Sequence, residues 1–294
     1  MVSSTGSADS VNQPVSLTET RRRRATWPIL TLAVLFLSAS FLTWYYTWFG
    51  RDLTDEEITR YLVDEKHPRH VQHALLQVES RLEQGKPAQQ WYPRVVALTS
   101  SSETEFRMTA AWVMGFDSQS PDFHQALLKL LADSEPMVRR NAALALVKFN
   151  DDSGRPELLA TLRPTVVKAD ANGLVNSTLS QGSAISRGAL LGRVIEENGA
   201  VIEVRSPIPG KIEKVAVGNG QAIKRGETIL TLNSDIPSVW EALRGLAFIG
   251  KSEDLGEIER YAQGVESLPD RIKQQAAVTA KAIQTRAIQP ALKG

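Results

Sequence analysis

Three histidines of the chain are spaced in a way that could bind a metal ion. His67, His70 and His73 recur at every third residue, and imidazole nitrogens are common ligands of zinc, nickel and copper. On an α-helix, however, each three-residue step turns the side chain by about 60°, so the three rings fan out instead of converging. Glu196 and Glu197 are adjacent on a predicted strand and point to opposite faces, which excludes a paired acid and base. These residues therefore predict neither a metal site nor a catalytic pair.

The composition excludes several further kinds of functional site. The 294 residues include no cysteine, which excludes disulfides, thiolate zinc sites and cysteine nucleophiles. The formal net charge is +1, so the chain as a whole lacks the excess of basic residues that is typical of nucleic-acid binders. No glycine-rich loop precedes a helix with a phosphate-binding lysine. We therefore expect no catalytic residue, no bound cofactor and no nucleic-acid partner.

A segment punctuated by glycines begins at residue 166. Its short alternating runs are typical of strands that are joined by tight turns. The segment is duplicated, and Gly182 in the first half matches Gly220 in the second. The two halves meet at Asn198-Gly199, which is a strong signal for a two-residue type I′ hairpin turn.

The residues after this turn resemble the biotinyl/lipoyl domain family. Ile202-Glu203-Val204, then Ser206-Pro207 and Gly210, match the stretch that follows the family's modified lysine. The resemblance covers residues 166–234 and implies a flattened barrel of two quasi-symmetric four-stranded halves.

The same alignment places a glycine where the family carries its cofactor. Asn198 takes the acidic position, Gly199 the lysine position, and Ala200 follows unchanged. No lysine lies between Lys168 and Lys211, so the resemblance implies an unmodified barrel. Unmodified barrels of this kind occur in membrane fusion proteins, the periplasmic adaptors of secretion and efflux systems. Those adaptors usually carry a long coiled-coil hairpin between the barrel halves, where this chain has only a turn.

Another motif recurs outside this segment at intervals of 32 to 35 residues. It combines an apolar residue, a basic residue and two adjacent alanines at helical spacing. Its three good copies are Phe106, Arg107, Ala110 and Ala111; Val138, Arg139, Ala142 and Ala143; and Ile272, Lys273, Ala276 and Ala277. Weaker copies begin at Val71 and Val239. The motif resembles HEAT repeats, which implies an α-solenoid of stacked helix pairs, with an unrelated helical bundle as the alternative. Lys129 and Arg140 are expected to be exposed on this solenoid.

The amino-terminal part has the composition of a membrane anchor. Residues 27–49 carry no charge and would span about 34 Å as a helix, and the aromatic residues Trp27, Trp44 and Trp48 gather near its ends. A cleaved signal peptide is the alternative. Four arginines precede the apolar run and by the positive-inside rule stay in the cytoplasm: Arg21, Arg22, Arg23 and Arg24.

Together these patterns predict an α+β chain with an N-terminal transmembrane helix and a HEAT-like α-solenoid interrupted by an all-β biotinyl/lipoyl-like barrel-sandwich domain. The predicted boundaries are a disordered cytoplasmic tail at 1–26, a transmembrane helix at 27–49, HEAT-like repeats at 52–165, the barrel at 166–234 and HEAT-like helices at 235–290.

The expected function is that of a single-pass inner-membrane scaffold or adaptor. The bulk of its chain would lie in the periplasm and bind other proteins of an envelope complex, without catalysis. Two alternatives remain open at this point. One is a noncatalytic carrier-like subunit of a lipoyl- or biotin-dependent enzyme system, and the other is an unrecognised hydrolase or metal-dependent enzyme.

Overall fold

The computed structural model describes residues 27–47, 51–265 and 268–288. The chain divides into two compact units, Met1–Asp52 and Leu53–Gly294. The described part of the first unit contains one helix, α1 (Trp27–Thr47), while the second unit combines helices with two antiparallel four-stranded sheets. The fold is therefore mixed helix and sheet.

The prediction of a transmembrane helix over residues 27–49 is wrong. α1 has 21 residues, but its strongly apolar part, Ile29 to Leu42, is bounded by Pro28 and by the more polar run from Thr43 to Thr47. As a helix that part spans only about 21 Å, against a hydrocarbon core of about 30 Å. Among the described residues, accordingly, no helix combines the length and the apolar character that crossing a bilayer requires.

The predictions that depended on this helix are wrong with it. They include the single-pass topology, the inner-membrane localisation and the interfacial roles of Trp27 and Trp44. Several residues of that prediction lie outside the described part of the chain, namely residues 1–26 with Arg21, Arg22, Arg23 and Arg24, and also Trp48.

The second unit is built mainly of helix pairs. Proline occupies the first turn of several helices, where its missing N–H would have had no intrahelical partner. Seven helices precede the sheets: α2 (Asp55–Tyr61), α3 (Pro68–Glu83), α4 (Tyr92–Leu98), α5 (Thr104–Met114), α6 (Pro121–Leu130), α7 (Pro136–Lys148) and α8 (Arg155–Thr161). Three follow them in the described residues up to 288: α9 (Ile236–Ile249), α10 (Leu255–Gln263) and α11 (Asp270–Ile288).

Alternate helices stack side by side into a continuous row. α3 packs on α5, α5 on α7, α7 on α9 and α9 on α11, and we call these five helices the first-helix row. Each carries one of the recurring apolar anchors, and all five anchors are at most 2% exposed: Val71, Phe106, Val138, Val239 and Ile272. The row therefore continues from α7 to α9 although the sheets lie between them in sequence.

α7 joins the helices before the sheets to those after them. One of its faces, with Ala142 and Leu146, belongs to the apolar core around α2 to α7, while Ala143 belongs to the core formed with α8 to α11. Gly154, just before α8, allows close approach on that side, since a Cβ there would lie 2.6 Å from the Cα of Ala143. Small residues on α7 thus let helices pack closely on both of its sides.

Eight strands between α8 and α9 form two sheets. The strands are β1 (Thr165–Lys168), β2 (Gly173–Asn176), β3 (Ala184–Ile185), β4 (Leu190–Ile195), β5 (Val201–Arg205), β6 (Gly210–Val215), β7 (Ala222–Ile223) and β8 (Thr228–Ser234). One sheet has the order β1-β8-β6-β3 and the other β5-β4-β2-β7, and every pairing is antiparallel. Their inward-facing residues share one apolar core, which includes Val175, Leu191 and Ile212.

The predicted closed barrel is wrong. Each sheet ends on edge strands, β1 and β3 in one and β5 and β7 in the other, and no strand pairing joins the two sheets within the described residues. β3 and β7 are only two residues long, too short to continue a hydrogen-bonded ladder from one sheet to the other. The result is a two-layer sandwich, which we call the sheet module.

The two halves of the sheet module are related by an internal symmetry, but they interleave instead of forming one sheet each. β1 and β3 of the first half pair with β6 and β8 of the second. Equivalent glycines make equivalent bonds: Gly182 N donates to the Ile212 carbonyl at 2.8 Å, and Gly220 N to the Val175 carbonyl at 2.7 Å. Gly182 and Gly220 have φ values of 85° and 77°, which favour glycine at both turns.

The sheet module is docked on the helices. Met137 of α7 lies in the apolar core of the module, and the partly buried Met108 of α5 packs against that core as well. Arg187, in the loop between β3 and β4, forms an ion pair with Glu105 of α5. These contacts hold the module against the first-helix row.

Removing residues 166–234 and joining the ends through a short Gly-Ser linker should leave a folded helical unit. Thr165 of β1 pairs with Leu232 of β8, so the chain enters and leaves the module side by side, and α8 packs directly on α9. Circular dichroism should retain the helical signal, and thermal unfolding should stay cooperative. The melting temperature should fall somewhat, because Met108 and Met137 lose their contacts. Loss of cooperative unfolding would contradict the direct α7 to α9 stacking.

Candidate functional site

The repeat signature residues line the contacts between neighbouring helices of the first-helix row. Both alanines of the first two copies are buried, which lets the next helix approach closely. In the third copy Ala276 is buried but Ala277 is exposed. α11 is the last described helix of the row, so among the described residues no further helix covers that side.

Arg107 ties one repeat to the next. Its Nε and Nη2 donate to both carboxylate oxygens of Asp133, at 2.7 and 3.0 Å, and its Nη1 donates to the carbonyl oxygens of Ser101 and Ser102. Only 12% of the Arg107 side chain and 8% of the Asp133 side chain are exposed. Burial alone would raise the pKa of the Asp133 carboxyl, but the hydrogen bonds from Arg107 and from the Glu135 N–H outweigh it and lower that pKa.

Arg139 repeats this geometry one repeat later. Its Nη1 donates to the carbonyl oxygens of Asp133 and Ser134, six and five residues earlier, as Arg107 does at its own positions. Its Nε donates to Glu157 of α8 at 3.1 Å. Lys273, at the same place in the third copy, has one ammonium group instead of a guanidinium, and its Nζ lies 3.5 Å from Asp270 Oδ1. The arginines of the first two copies therefore fix the turn before each helix and link it to the following element.

Polar and aromatic side chains connect α3, α5 and α7 on an accessible face. The Trp112 Nε1–H donates to Glu79 at 2.9 Å, the Trp112 ring packs edge-on against Phe116, and the Lys148 ammonium lies over both rings. Trp112 is 39% exposed and Leu76 is 40% exposed. We call Leu76, Glu79, Trp112, Phe116 and Lys148 the Trp112 patch. Burial lowers the pKa of Lys148, and the carboxylates of Glu79 and Glu83 offset only part of that effect.

The expectation that Arg140 is an exposed contact residue is wrong. Its side chain is partly buried between α7 and α9, where it donates to the Ser238 hydroxyl, and its buried Nε has no hydrogen-bond partner among the described residues. Burial lowers the pKa of the guanidinium, while Glu241 and Asp235 act in the opposite direction. Lys129 is exposed on α6.

The hairpin between β4 and β5 is not a two-residue type I′ turn. Gly199 N donates to the Glu196 carbonyl and Glu196 N to the Ala200 carbonyl, both at 2.9 Å, so three residues form the loop. Gly199 has a φ of 84°, whereas Asn198 is not among the residues with positive φ. The Asn198 carboxamide oxygen instead accepts from Ala200 N at 2.8 Å. This is the three-residue loop in which a turn is followed by a left-handed glycine, and it is exposed to solvent.

A group of metal-ligand type lies between α2 and α3. The Nδ1 atom of His67 is 2.8 and 2.9 Å from the two Asp64 oxygens, and the Nδ1 atom of His70 is 2.7 Å from Asp64 Oδ2. The three ligand atoms lie within 4.8 Å of one another. Hydrogen bonds with His67 first, and then with His70, lower the pKa of Asp64 although burial opposes them.

This group was missed from the sequence because the α-helical period was applied from His67 onwards. Asp64 and His67 instead precede α3, and the segment from Tyr61 to His70 follows turns of three residues. Asp64 N donates to the Tyr61 carbonyl, His67 N to the Asp64 carbonyl and His70 N to the His67 carbonyl. Such i to i+3 bonds give a repeat of three residues per turn, which stacks side chains at every third position instead of fanning them out. His73, inside α3, is buried and departs from the stack. Pro68, directly after His67, could have revealed this, because proline favours the first turn of a helix and so places His67 before α3.

A cleft of about 540 Å³ lies where β6 meets α9 and α10. Its lining includes Glu213, Asp235, Arg260 and Tyr261, and each of these takes part in a structural contact. Glu213 accepts from Thr231, Asp235 caps α9 through Ser238 N, and both Arg260 and Tyr261 donate to the Leu162 carbonyl. The bonds of Arg260 and Tyr261 join α10 to the end of α8, whereas those of Glu213 and Asp235 lie within the sheet module and at the start of α9.

Replacing Arg107 by Gln should reduce the free energy of unfolding by about 3 kcal/mol, because it leaves the buried Asp133 carboxylate without its partner. Arg107→Lys should recover only part of the loss, since one ammonium cannot bond the carboxylate and two carbonyls together. Urea unfolding at neutral pH measures both effects. Arg193→Gln is the matched control, because its pair with Glu203 is exposed and should contribute less than about 1 kcal/mol.

The ion pair between Arg107 and Asp133 also makes the free energy of unfolding depend on pH. The folded-state pKa of Asp133 is lowered, so its contribution to stability is present above the unfolded value of about 3.9 and is lost as the pH falls through the folded value. The difference in stability between the natural chain and Asp133→Asn should therefore shrink as the pH falls below about 4. A constant difference over that range would show that the negative charge of Asp133 does not contribute to stability through Arg107.

A family model described as HEAT repeats matches residues 93–175, from α4 into β2. The match confirms the prediction of HEAT-like repeats for this segment, and it does not extend to the helices after the sheets. One solved structure that matches is that of a single-chain, multi-domain long-chain acyl-CoA carboxylase, with 17% identity and a TM-score of 0.23 over 44% of this chain and 14% of that chain. At that TM-score the likeness supports no conclusion about fold or activity. No curated protein sequence matches the chain.

Proposed function

We propose that this chain is a noncatalytic scaffold that binds another protein through the first-helix row, with the Trp112 patch as the centre of contact. HEAT repeats generally mediate protein interactions, and a stacked helical row offers an extended surface for a partner. The observation that carries the proposal is the exposed Trp112 on α5, where its contacts connect α3, α5 and α7 of that row.

The make-up of the Trp112 patch fits a protein interface. Leu76 lies between Gln72 and Glu79 on one face of α3, and those two residues contact Thr109 and Trp112 of α5. Apolar surface from Leu76 and Trp112 is therefore flanked by the opposite charges of Glu79 and Lys148. Binding sites commonly place an aromatic anchor at the centre and polar groups at the rim, and tryptophan is enriched among residues that dominate binding energy.

Trp112 is also held in place before any partner binds. Its indole N–H is bonded to Glu79, and its ring is fixed between Phe116 and the Lys148 ammonium. A preorganised side chain loses less conformational entropy on binding, which favours affinity.

The sheet module has a supporting role in this proposal. Its duplicated sequence and its symmetric strand order support a relationship to the biotinyl/lipoyl family without the closed barrel. Gly199 occupies the position of the modified lysine, and its φ of 84° is strained for any residue with a side chain. We infer that the hairpin carries no cofactor and that the module, held by Met108, Met137 and Arg187, stabilises the row.

Site-specific photocrosslinking tests where the partner binds. A photoreactive residue in place of Leu76 should capture a defined partner in extracts of cells that express the chain naturally, while one in place of Asn198, at the tip of the module, should not. Trp112→Ala should then weaken binding of the captured partner by about thirtyfold, corresponding to a residue that dominates binding. Trp112→Phe should lose less, because part of the aromatic contact remains.

The outcome at Asn198 separates this function from the carrier-like alternative. Capture through Asn198 alone, together with added mass on the chain after co-expression with a biotin or lipoate ligase, would contradict the proposal and favour a carrier-like subunit. The scaffold proposal requires the mass of the bare sequence in that experiment.

A further inference from the structure

We propose that Asp64, His67 and His70 bind a divalent transition-metal ion of the zinc, nickel and copper class at the start of α3. The ligands would be one carboxylate oxygen of Asp64 and the Nδ1 atoms of the two histidines. This site is independent of the Trp112 patch and of the proposed partner.

The chemistry of the ligands selects the class of ion. Two imidazole nitrogens and one carboxylate suit zinc, nickel and copper, whereas magnesium and calcium prefer sets made entirely of oxygen atoms. Zinc sites with three protein ligands commonly keep a further position for water or another ligand.

The distances fit simultaneous coordination. Metal–ligand bonds of about 2.1 Å put neighbouring ligand atoms about 3.0 Å apart at a right angle and about 3.4 Å apart at the tetrahedral angle. The three Nδ1 to oxygen distances are 2.7 to 2.9 Å. For these nitrogen–oxygen pairs an ion with right-angled ligand geometry therefore needs little movement, and tetrahedral zinc needs each pair to open by about half an ångström. The ligand nitrogen atoms of the two histidines lie within 4.8 Å of each other. The His67 side chain, 66% exposed, is free enough to make that adjustment.

The backbone organises these ligands in advance. Three consecutive i to i+3 hydrogen bonds place Tyr61, Asp64, His67 and His70 on one side of the segment. The Tyr61 ring stacks on His70 with centroids 4.1 Å apart and an angle of 6°, which fixes the imidazole plane. In the metal-free protein both Nδ1 atoms hydrogen-bond to Asp64. An ion would replace those contacts, and any proton carried on the two Nδ1 atoms would leave to solvent.

The exposure of the group leaves room for further ligands. The side chains of Asp64, His67 and His70 are 28%, 66% and 40% exposed. Water, or a side chain of another protein, can complete the coordination. Bound metal would also link the end of α2 to the start of α3 and restrict the segment between them.

Another histidine of the chain supplies a matched control. His124 Nε2 lies 2.7 Å from Asp151 Oδ2, the same kind of contact, but these two residues belong to no three-ligand group among the described residues. The sequence contains four histidines, and the fourth, His73, is buried within α3.

The test is isothermal titration of the full chain, prepared without a histidine tag, with zinc chloride and separately with nickel chloride. We expect one ion per chain and a rise in melting temperature with excess metal. Each of Asp64→Asn, His67→Gln and His70→Gln should weaken binding at least about tenfold, and His124→Gln should leave it unchanged. Melting curves without metal confirm that each variant is folded, which is favoured because none of these side chains is fully buried.

Electron paramagnetic resonance with Cu²⁺ reports the ligands themselves. The natural chain should show coupling to two imidazole nitrogens, and His67→Gln should show one. The proposal is overturned if the chain binds neither ion, if His67→Gln and His70→Gln bind as tightly as the natural chain, or if His124→Gln abolishes binding.

Discussion

The helical part of the structure depends on the hydrogen bonds of the Arg107 and Arg139 guanidinium groups. Each guanidinium bonds two carbonyl oxygens five and six residues earlier and a carboxylate on a following element, Asp133 or Glu157. The first set of bonds fixes the turn before the helix, and the second fixes the spacing to the next repeat. Because the Arg107 pair is largely buried, its geometry is specific and its loss is costly. The adjacent alanines can pack closely only once this spacing is set.

This constraint explains how eight strands can be inserted without interrupting the helices. α7 contributes to both helical cores and contacts α9 directly, so the row is complete without the sheet module. The two ends of the module lie side by side where β1 pairs with β8. The module adds Met137 and Met108 contacts to the row and leaves its β4–β5 hairpin exposed. Such an arrangement fits a structural role for the module better than the role of carrying a cofactor on a lysine.

The sequence predicted those features that depend on local periodicity. On each side of the sheets the apolar anchors lie 32 to 35 residues apart, and all five anchors are buried. Features that depend on how elements meet were harder to predict. Arg140 is partly buried because α9 returns from beyond the sheets to cover it, and the sheets stay open because two of their edge strands are only two residues long. Asn198-Gly199 suggested a two-residue turn, but the side chain of Asn198 bonds Ala200 N and a three-residue loop results.

The candidate metal group and the apolar N-terminal helix show two further limits of pattern reasoning. A period of 3.6 applied to His67, His70 and His73 separates their side chains, whereas the period of three that the turns adopt brings His67 and His70 together with Asp64. A count of uncharged residues after residue 26 suggested a membrane span, but the proline and the polar and aromatic residues at its ends shorten the strongly apolar part.

The central claim is that the helices before and after the sheets form one cooperative stack. Native-state hydrogen exchange of the full chain measures this directly, because amides that open together share one opening free energy. The account predicts that amides in the middle of α7, α8 and α9 exchange with opening free energies within about 1 kcal/mol of each other and with the same dependence on denaturant. If α9 to α11 instead open at a clearly lower free energy than α5 to α8, the stack is divided at the insertion and the claim is contradicted.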